Sequence, residues 1–226
     1  MSEAAATSIA PNEGVTGLVD DWTADKQAYH VPWGKAMMWI FLVSDTFIFT
    51  CFLTGYLNVR MTTTQPWPPQ SEIFALSFGG APIPLILIAI MTFVLITSSG
   101  TMALAVNYGY RRDKFKTIVF ICLTALFGAT FVGMQAFEWT KLIVDEGVRP
   151  WTNPFGAPQF GSVFFMVTGF HGLHVSAGVI YLLWVARRIW AGYYDKKGFE
   201  IVEIAGLYWH FVDLVWVFIF AFFYLL

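Results

Sequence analysis

Residues 160–186 read FGSVFFMVTGFHGLHVSAGVIYLLWVA, 27 positions without one Asp, Glu, Lys or Arg. A helix that rises about 1.5 Å per residue needs about 20 mostly apolar residues to cross a hydrocarbon layer roughly 30 Å thick. This stretch exceeds that length and contains no proline to break it. Four further segments meet the same test: 36–59, 83–106, 117–142 and 201–226. The sequence therefore predicts an all-α, polytopic membrane helix bundle with five transmembrane helices, occupying residues 34–226. The first 33 residues differ in kind. Ser, Ala, Thr, Asp and Glu dominate 1–33, with no apolar core of signal-peptide length, so a polar N-terminal lead-in precedes the bundle.

Composition agrees with the spans. The 226 residues are 57% hydrophobic and only 12% charged, where a soluble domain carries about a quarter of its residues as charged side chains. A water-soluble globule is excluded. The 13 basic and 15 acidic residues give a net charge of −2 and form no basic stripe, which argues against nucleic-acid binding. Cys51 and Cys122 lie in separate apolar runs and read as small buried hydrophobes, not as a disulfide.

The connections sort by charge. Lys26, Lys35, Arg111, Arg112, Lys114, Lys116, Arg187, Arg188, Lys196 and Lys197 fall on the side of the lead-in, against Arg60, Lys141 and Arg149 on the other. Cytoplasmic loops collect Lys and Arg, so the N-terminus is expected in the cytoplasm and the C-terminus outside. Trp67-Pro68-Pro69 and Arg149-Pro150-Trp151-Thr152-Asn153-Pro154 predict rigid outer loops, because proline fixes φ and prevents the helices from continuing. Small residues at four-residue spacing, Ala125, Ala129 and Gly133 in one span and Thr168, Gly172 and Ser176 in another, are candidate helix contact faces, within the bundle or between copies.

Seven acids and histidines fall inside predicted spans: Asp45, Glu138, His171, His174, Glu203, His210 and Asp213. Such groups are costly in hydrocarbon, which makes each a functional candidate. His171 and His174 share a helix face, as do His210 and Asp213. A di-iron bundle would use two Glu-x-x-His pairs, and neither exists here. His174 and His210 could oppose one another as haem ligands at matched depth. The competing reading is an interhelical polar network of His171, His174, His210 and Asp213, with imidazole donors and carboxylate acceptors and no metal. Asp45 lies near mid-membrane, where desolvation disfavours a charged carboxyl. It reads either as a structural hydrogen-bond partner or as a proton-related site.

Two motifs carry a resemblance. Residues 160–175, FGSVFFMVTGFHGLHV, and 208–216, YWHFVDLVW, are similar to subunit III of the haem-copper cytochrome c oxidases and related quinol oxidases, in a short form with five transmembrane helices. Weaker matches are Ser44-Asp45-Thr46-Phe47-Ile48-Phe49, Trp67-Pro68-Pro69, Ser99-Gly100 and Gln135-Ala136-Phe137-Glu138-Trp139. The resemblance covers almost everything after residue 33. It implies a non-redox accessory subunit of a proton-pumping, dioxygen-reducing terminal oxidase in aerobic respiration, in the bacterial plasma (inner) membrane. It also implies no catalytic residue and no cofactor in this chain beyond bound phospholipid, with haems and copper in partner subunits. Expected partners are the catalytic subunit I, subunit II, small subunits or a respiratory supercomplex, and membrane phospholipids.

Carried over residue by residue, Asp45 takes the place of the family's carbodiimide-reactive intramembrane glutamate, one methylene shorter. Lys35 matches a basic residue that contacts lipid phosphate. Glu138, His171, His174, Glu203 and His210 match polar positions that hold helices or lie near lipid, and so are lipid-binding candidates. The chain starts at what looks like the third span of the common seven-span form. Asn107 and Tyr108 stand where the family tends to have histidines. Two other functions are weighed: an accessory subunit beside a nitric oxide reductase, and a stand-alone proton or solute transporter. The second is disfavoured because the spans show no internal repeat.

Overall fold

The computed structural model describes residues 32–68, 73–78, 81–194 and 198–225. The lead-in up to residue 31, with Lys26 and His30, and also Lys196, Lys197 and Leu226, lies outside the described residues.

Five helices long and apolar enough to cross a bilayer form the fold. They are α1 (Trp33–Thr62), α2 (Ile86–Tyr110), α3 (Lys114–Val144), α4 (Gln159–Trp190) and α5 (Glu200–Phe220), the last continued by a π-helical turn, Ala221–Leu225. α1, α3 and α4 contain their expected spans and extend beyond them at both ends, and α5 with its π turn covers 201–225 of its own. α2 starts later than the pattern suggested, because Ala81–Pro84 pairs with Ala75–Phe78 as a short antiparallel hairpin, β1 and β2, in the loop before it. The physical reason is Pro82-Ile83-Pro84: proline lacks an N–H, and the residue before a proline avoids helical angles. Leu85, at φ 61°, turns the chain into the helix.

The connections have local causes. Asp113 caps α3 by accepting a bond from the Lys116 backbone N–H at 3.2 Å. Two loops at one end of the bundle lock together where Ala157 N–H donates to Pro66 O at 3.2 Å. Gly156, at φ 141°, is required there, since a Cβ would run into that same carbonyl oxygen. Arg149 and Thr152 pair across a tight turn that presents Trp151 to the exterior.

α2 packs on α3 and α5, α3 on α4, and α4 on α5, while α1 leans on α4 and α5 from the side. Burial along α4 recurs at Phe160, Phe164, Thr168, His171, Val175, Gly178, Leu182, Val185 and Ile189, the stripe of a helix turned toward one core. Trp209 and Trp216 of α5 fill the centre. Trp209 Nε1–H donates to Ser98 Oγ at 2.9 Å, and Trp216 Nε1–H donates to Thr92 Oγ1 at 3.0 Å, so both indoles are pinned to α2.

The small-residue faces need correction. Ala125 is buried, but Ala129 and Gly133 face outward, and a Cβ at Gly133 or Gly172 would meet open space. Four residues advance an α-helix by about 400°, so each step of four drifts about 40° around the axis, away from the core. The close approaches use other glycines. Gly128 of α3 and Gly178 of α4 flank the Trp209 ring, and Gly206 of α5 meets Val106 and Met102. Cys51 and Cys122 are exposed on the outer faces of α1 and α3 instead of buried, because their apolar runs turn outward at those positions.

Candidate functional site

The ionisable side chains inside the bundle form separate clusters instead of one network. The first joins α1 to α4. His174 Nε2 lies 3.3 Å from Asp45 Oδ2, and the Asp45 side chain is only 4% exposed. His174 Nδ1 faces the Phe170 carbonyl oxygen at 2.8 Å. A carbonyl only accepts, so Nδ1 carries a hydrogen. Nε2 and Oδ2 then face one another at ion-pair distance without hydrogen-bond geometry. Phe49 and Phe170 pack against the imidazole, and the Tyr208 hydroxyl donates to the His174 carbonyl at 2.9 Å.

His171, one turn away, behaves differently. It is 1% exposed, and neither ring nitrogen has a hydrogen-bond partner. Its imidazole stacks on Trp216 with centroids 5.2 Å apart and meets Phe131 edge-on at 5.8 Å. The second polar cluster links α2 to α5: Ser99 Oγ lies 2.5 Å from His210 Nδ1, with the Asp213 carboxyl group near the same hydroxyl. The four residues read as one network are thus divided. His174 turns to Asp45, His210 and Asp213 share Ser99, and His171 sits among aromatic rings.

Near the N-terminal end of α1, Lys35 Nζ pairs with Glu203 Oε2 at 2.6 Å, and the Tyr110 hydroxyl donates to the same oxygen. This clamp fastens α1, α2 and α5 at one end of the bundle. Near the opposite end, Glu138 accepts from Gln135 Nε2 at 2.8 Å and from the Tyr224 hydroxyl at 3.2 Å and 3.3 Å. Glu138 and His171 are enclosed, at 3% and 1% exposure, and lack the access that a lipid headgroup needs. Their candidacy as lipid ligands is corrected on that ground: helix rotation places them inward. Lys35, Glu203, His174 and His210 remain partly open. Among the described residues, no three of the His, Cys, Asp and Glu side chains converge as a metal site would require.

An apolar groove of about 350 Å³ runs between α1 and α5, lined by Thr46, Phe49, Thr50, Phe211, Leu214 and Phe218, among others. The sequence pattern does not single out Ser98, Thr92 or Tyr110. Their partners come from other helices, and only Ser99, beside Gly100, had drawn notice.

The paired motifs of α4 and α5, now seen back to back around Trp209 and Trp216, can be set beside known proteins. A family model described as cytochrome c oxidase subunit III matches residues 26–226. The chain belongs to the cytochrome c oxidase subunit III family. It is 32% identical over 194 residues to a cytochrome c oxidase subunit 3 of Alkalihalophilus pseudofirmus, covering 83% of this chain and 84% of that relative. It is also 32% identical over 203 residues to a probable quinol oxidase subunit 3 of Staphylococcus aureus, strain USA300, covering 89% and 93%. The alignments run over most of both chains, so this subunit III family member is nearly matched in length to these relatives. The clusters around Asp45, Glu138, His174, Glu203 and His210 all lie within the matched region.

Proposed function

We propose that this chain is the non-redox accessory subunit III of a proton-pumping haem-copper terminal oxidase in the bacterial plasma membrane, serving aerobic respiration. The observation that carries the reading is the subunit III match over residues 26–226, which takes in all five spans. Dioxygen reduction and proton translocation belong to the catalytic subunit I with its haems and copper, beside subunit II. This chain docks on subunit I, orders lipid and sustains proton uptake through repeated turnovers. The placement of its polar groups supports that reading, since Asp45, Glu138, His174, Glu203 and His210 each bond a neighbouring side chain. The apolar lining of the groove between α1 and α5 supports binding of a phospholipid acyl chain there. The end of the bundle with Lys35, Arg111, Arg112, Arg187 and Arg188 faces the cytoplasm.

The test is to purify the complex, identify its chains and strip this subunit with detergent. Haem spectra and initial turnover should persist, while activity decays faster over successive turnovers. The isolated chain should be colourless and metal-free. Stoichiometric haem or metal retained by this chain, or decay unchanged by its removal, would refute the proposal. An impermeant thiol reagent should label Arg112→Cys only from the cytoplasmic side.

A further inference from the structure

We propose that Glu138 is an internal proton-exchange site, reached through a single bound water that sits between its carboxyl group and Lys141, from the end of the bundle carrying residues 145–158. Glu138 projects from α3 into the core, and two donors reach it: Gln135 Nε2 at 2.8 Å and the Tyr224 hydroxyl, which divides itself between both carboxyl oxygens. A carboxylate offers about four acceptor positions, so capacity for another donor remains. Gln135 Oε1, enclosed beside it, also has no hydrogen-bond partner.

A cavity opens against this carboxyl group. Apolar side chains including Phe74, Leu87 and Leu142 line it, and its two polar groups are Glu138 and Lys141. It leaves about 10 Å³ for the centre of a water molecule, the room of one water. Glu138 and Lys141, both in its lining, are the two polar side chains available to that water as partners. The Lys141 ammonium is close enough to act electrostatically on Glu138, and it also lies 3.9 Å from Glu146 Oε1. Both of those side chains are partly exposed, at 19% and 25%. The sequence of groups therefore runs from solvent, past Glu146 and Lys141, through one water, to a carboxyl group in the core.

The proton balance is simple. A proton leaving Glu138 passes to the water, which releases one to solvent at the Lys141–Glu146 mouth, and the return follows the same route. Nothing is oxidised or reduced. The titratable groups facing the site are Lys141 from α3 itself and Tyr224 from the π-helical turn. α2 and residues 73–74 present only apolar side chains to the cavity. Tyr224 bonds the carboxyl group directly, so the C-terminal turn senses its protonation. Irregular π turns of this kind are frequent at functional sites.

The test uses the complete complex in lipid nanodiscs and infrared difference spectra, with Glu138→Gln identifying the carboxyl band. The band should interconvert between acid and carboxylate forms with bulk pH, and its acid form should shift within seconds in D2O. Lys141→Met should slow that shift at least about tenfold, because exchange then waits for local opening of the helices. Should Glu138→Gln fail to assemble, Tyr224→Phe keeps the acid, removes one donor and locates the same band by its displacement. A band indifferent to pH and D2O, or one that exchanges at the native rate in Lys141→Met, would overturn the proposal.

Discussion

Gly128 and Gly133 lie five residues apart on α3, and a methyl group added to each has opposite consequences. At Gly128 an added Cβ would sit 2.8 Å from Val179 Cγ2 and 2.9 Å from Trp209 Cζ2, with another ring carbon closer still. The indole cannot retreat freely, because its Nε1–H is bonded to Ser98 at 2.9 Å and the opposite side of the ring rests on Gly178. At Gly133 the same Cβ meets nothing within 4 Å. Both Gly→Ala changes gain the same helix propensity, about 1 kcal/mol, so the difference between them isolates the overpacking cost. That cost is about 1–3 kcal/mol, or roughly a 5- to 150-fold change in the unfolding equilibrium. Detergent-induced unfolding of the purified chain, followed by tryptophan fluorescence, measures the difference. Gly128→Ala should unfold first, and Trp209→Phe in the same chain should recover part of the loss, since neighbours in contact are not additive. Equal stability of the two alanine variants, or a less stable Gly133→Ala, would refute the packing assigned to Trp209.

His174→Ala should destabilise assembly by about 3–5 kcal/mol by leaving the Asp45 carboxyl group unpaired in the core, whereas Asp45→Asn stays near wild type. His174→Ala combined with Asp45→Asn should recover most of the loss, read as retention of the subunit in the purified complex. Gly156→Ala should cost at least about 1–3 kcal/mol and unlock the two joined loops, seen as faster proteolysis in the 145–158 segment. The Asp113 carboxyl group is held below its ordinary range, first by the Lys116 backbone N–H and then by the Lys116 side chain. The cap therefore contributes fully above the ordinary carboxylate range and is lost as pH falls through the depressed value, which amide exchange at Lys116 reports. Trp216→Phe should cost about 0.5–1.5 kcal/mol through the lost bond to Thr92, measured by the same unfolding assay.

The five spans were legible because bilayer thickness imposes a length on any apolar helix, and 160–186 or 201–226 meet it whatever they pack against. The start of α2 was misplaced, since the β-hairpin that takes up Pro82 and Pro84 depends on partner residues five and nine positions earlier, Ser77 and Ala75. Among the candidate site residues, Asp45 was recognised as an acid near mid-membrane, but its partner was not, because His174 comes from α4, more than a hundred residues later. Lys35 and Glu203 are further apart still, and only the approach of α1 to α5 makes them a clamp.

Residue type and spacing by themselves determined the membrane class, the number of helices and the family, because those properties depend on local runs of about twenty residues and on two continuous motifs. Which glycines admit the Trp209 ring, which imidazole meets an acid and which lies among aromatic rings were settled only by helix rotation and neighbour choice. Those are collective outcomes: drifting about 40° for each four residues, a helix turns one face inward only where the partner helices supply a shape to fill.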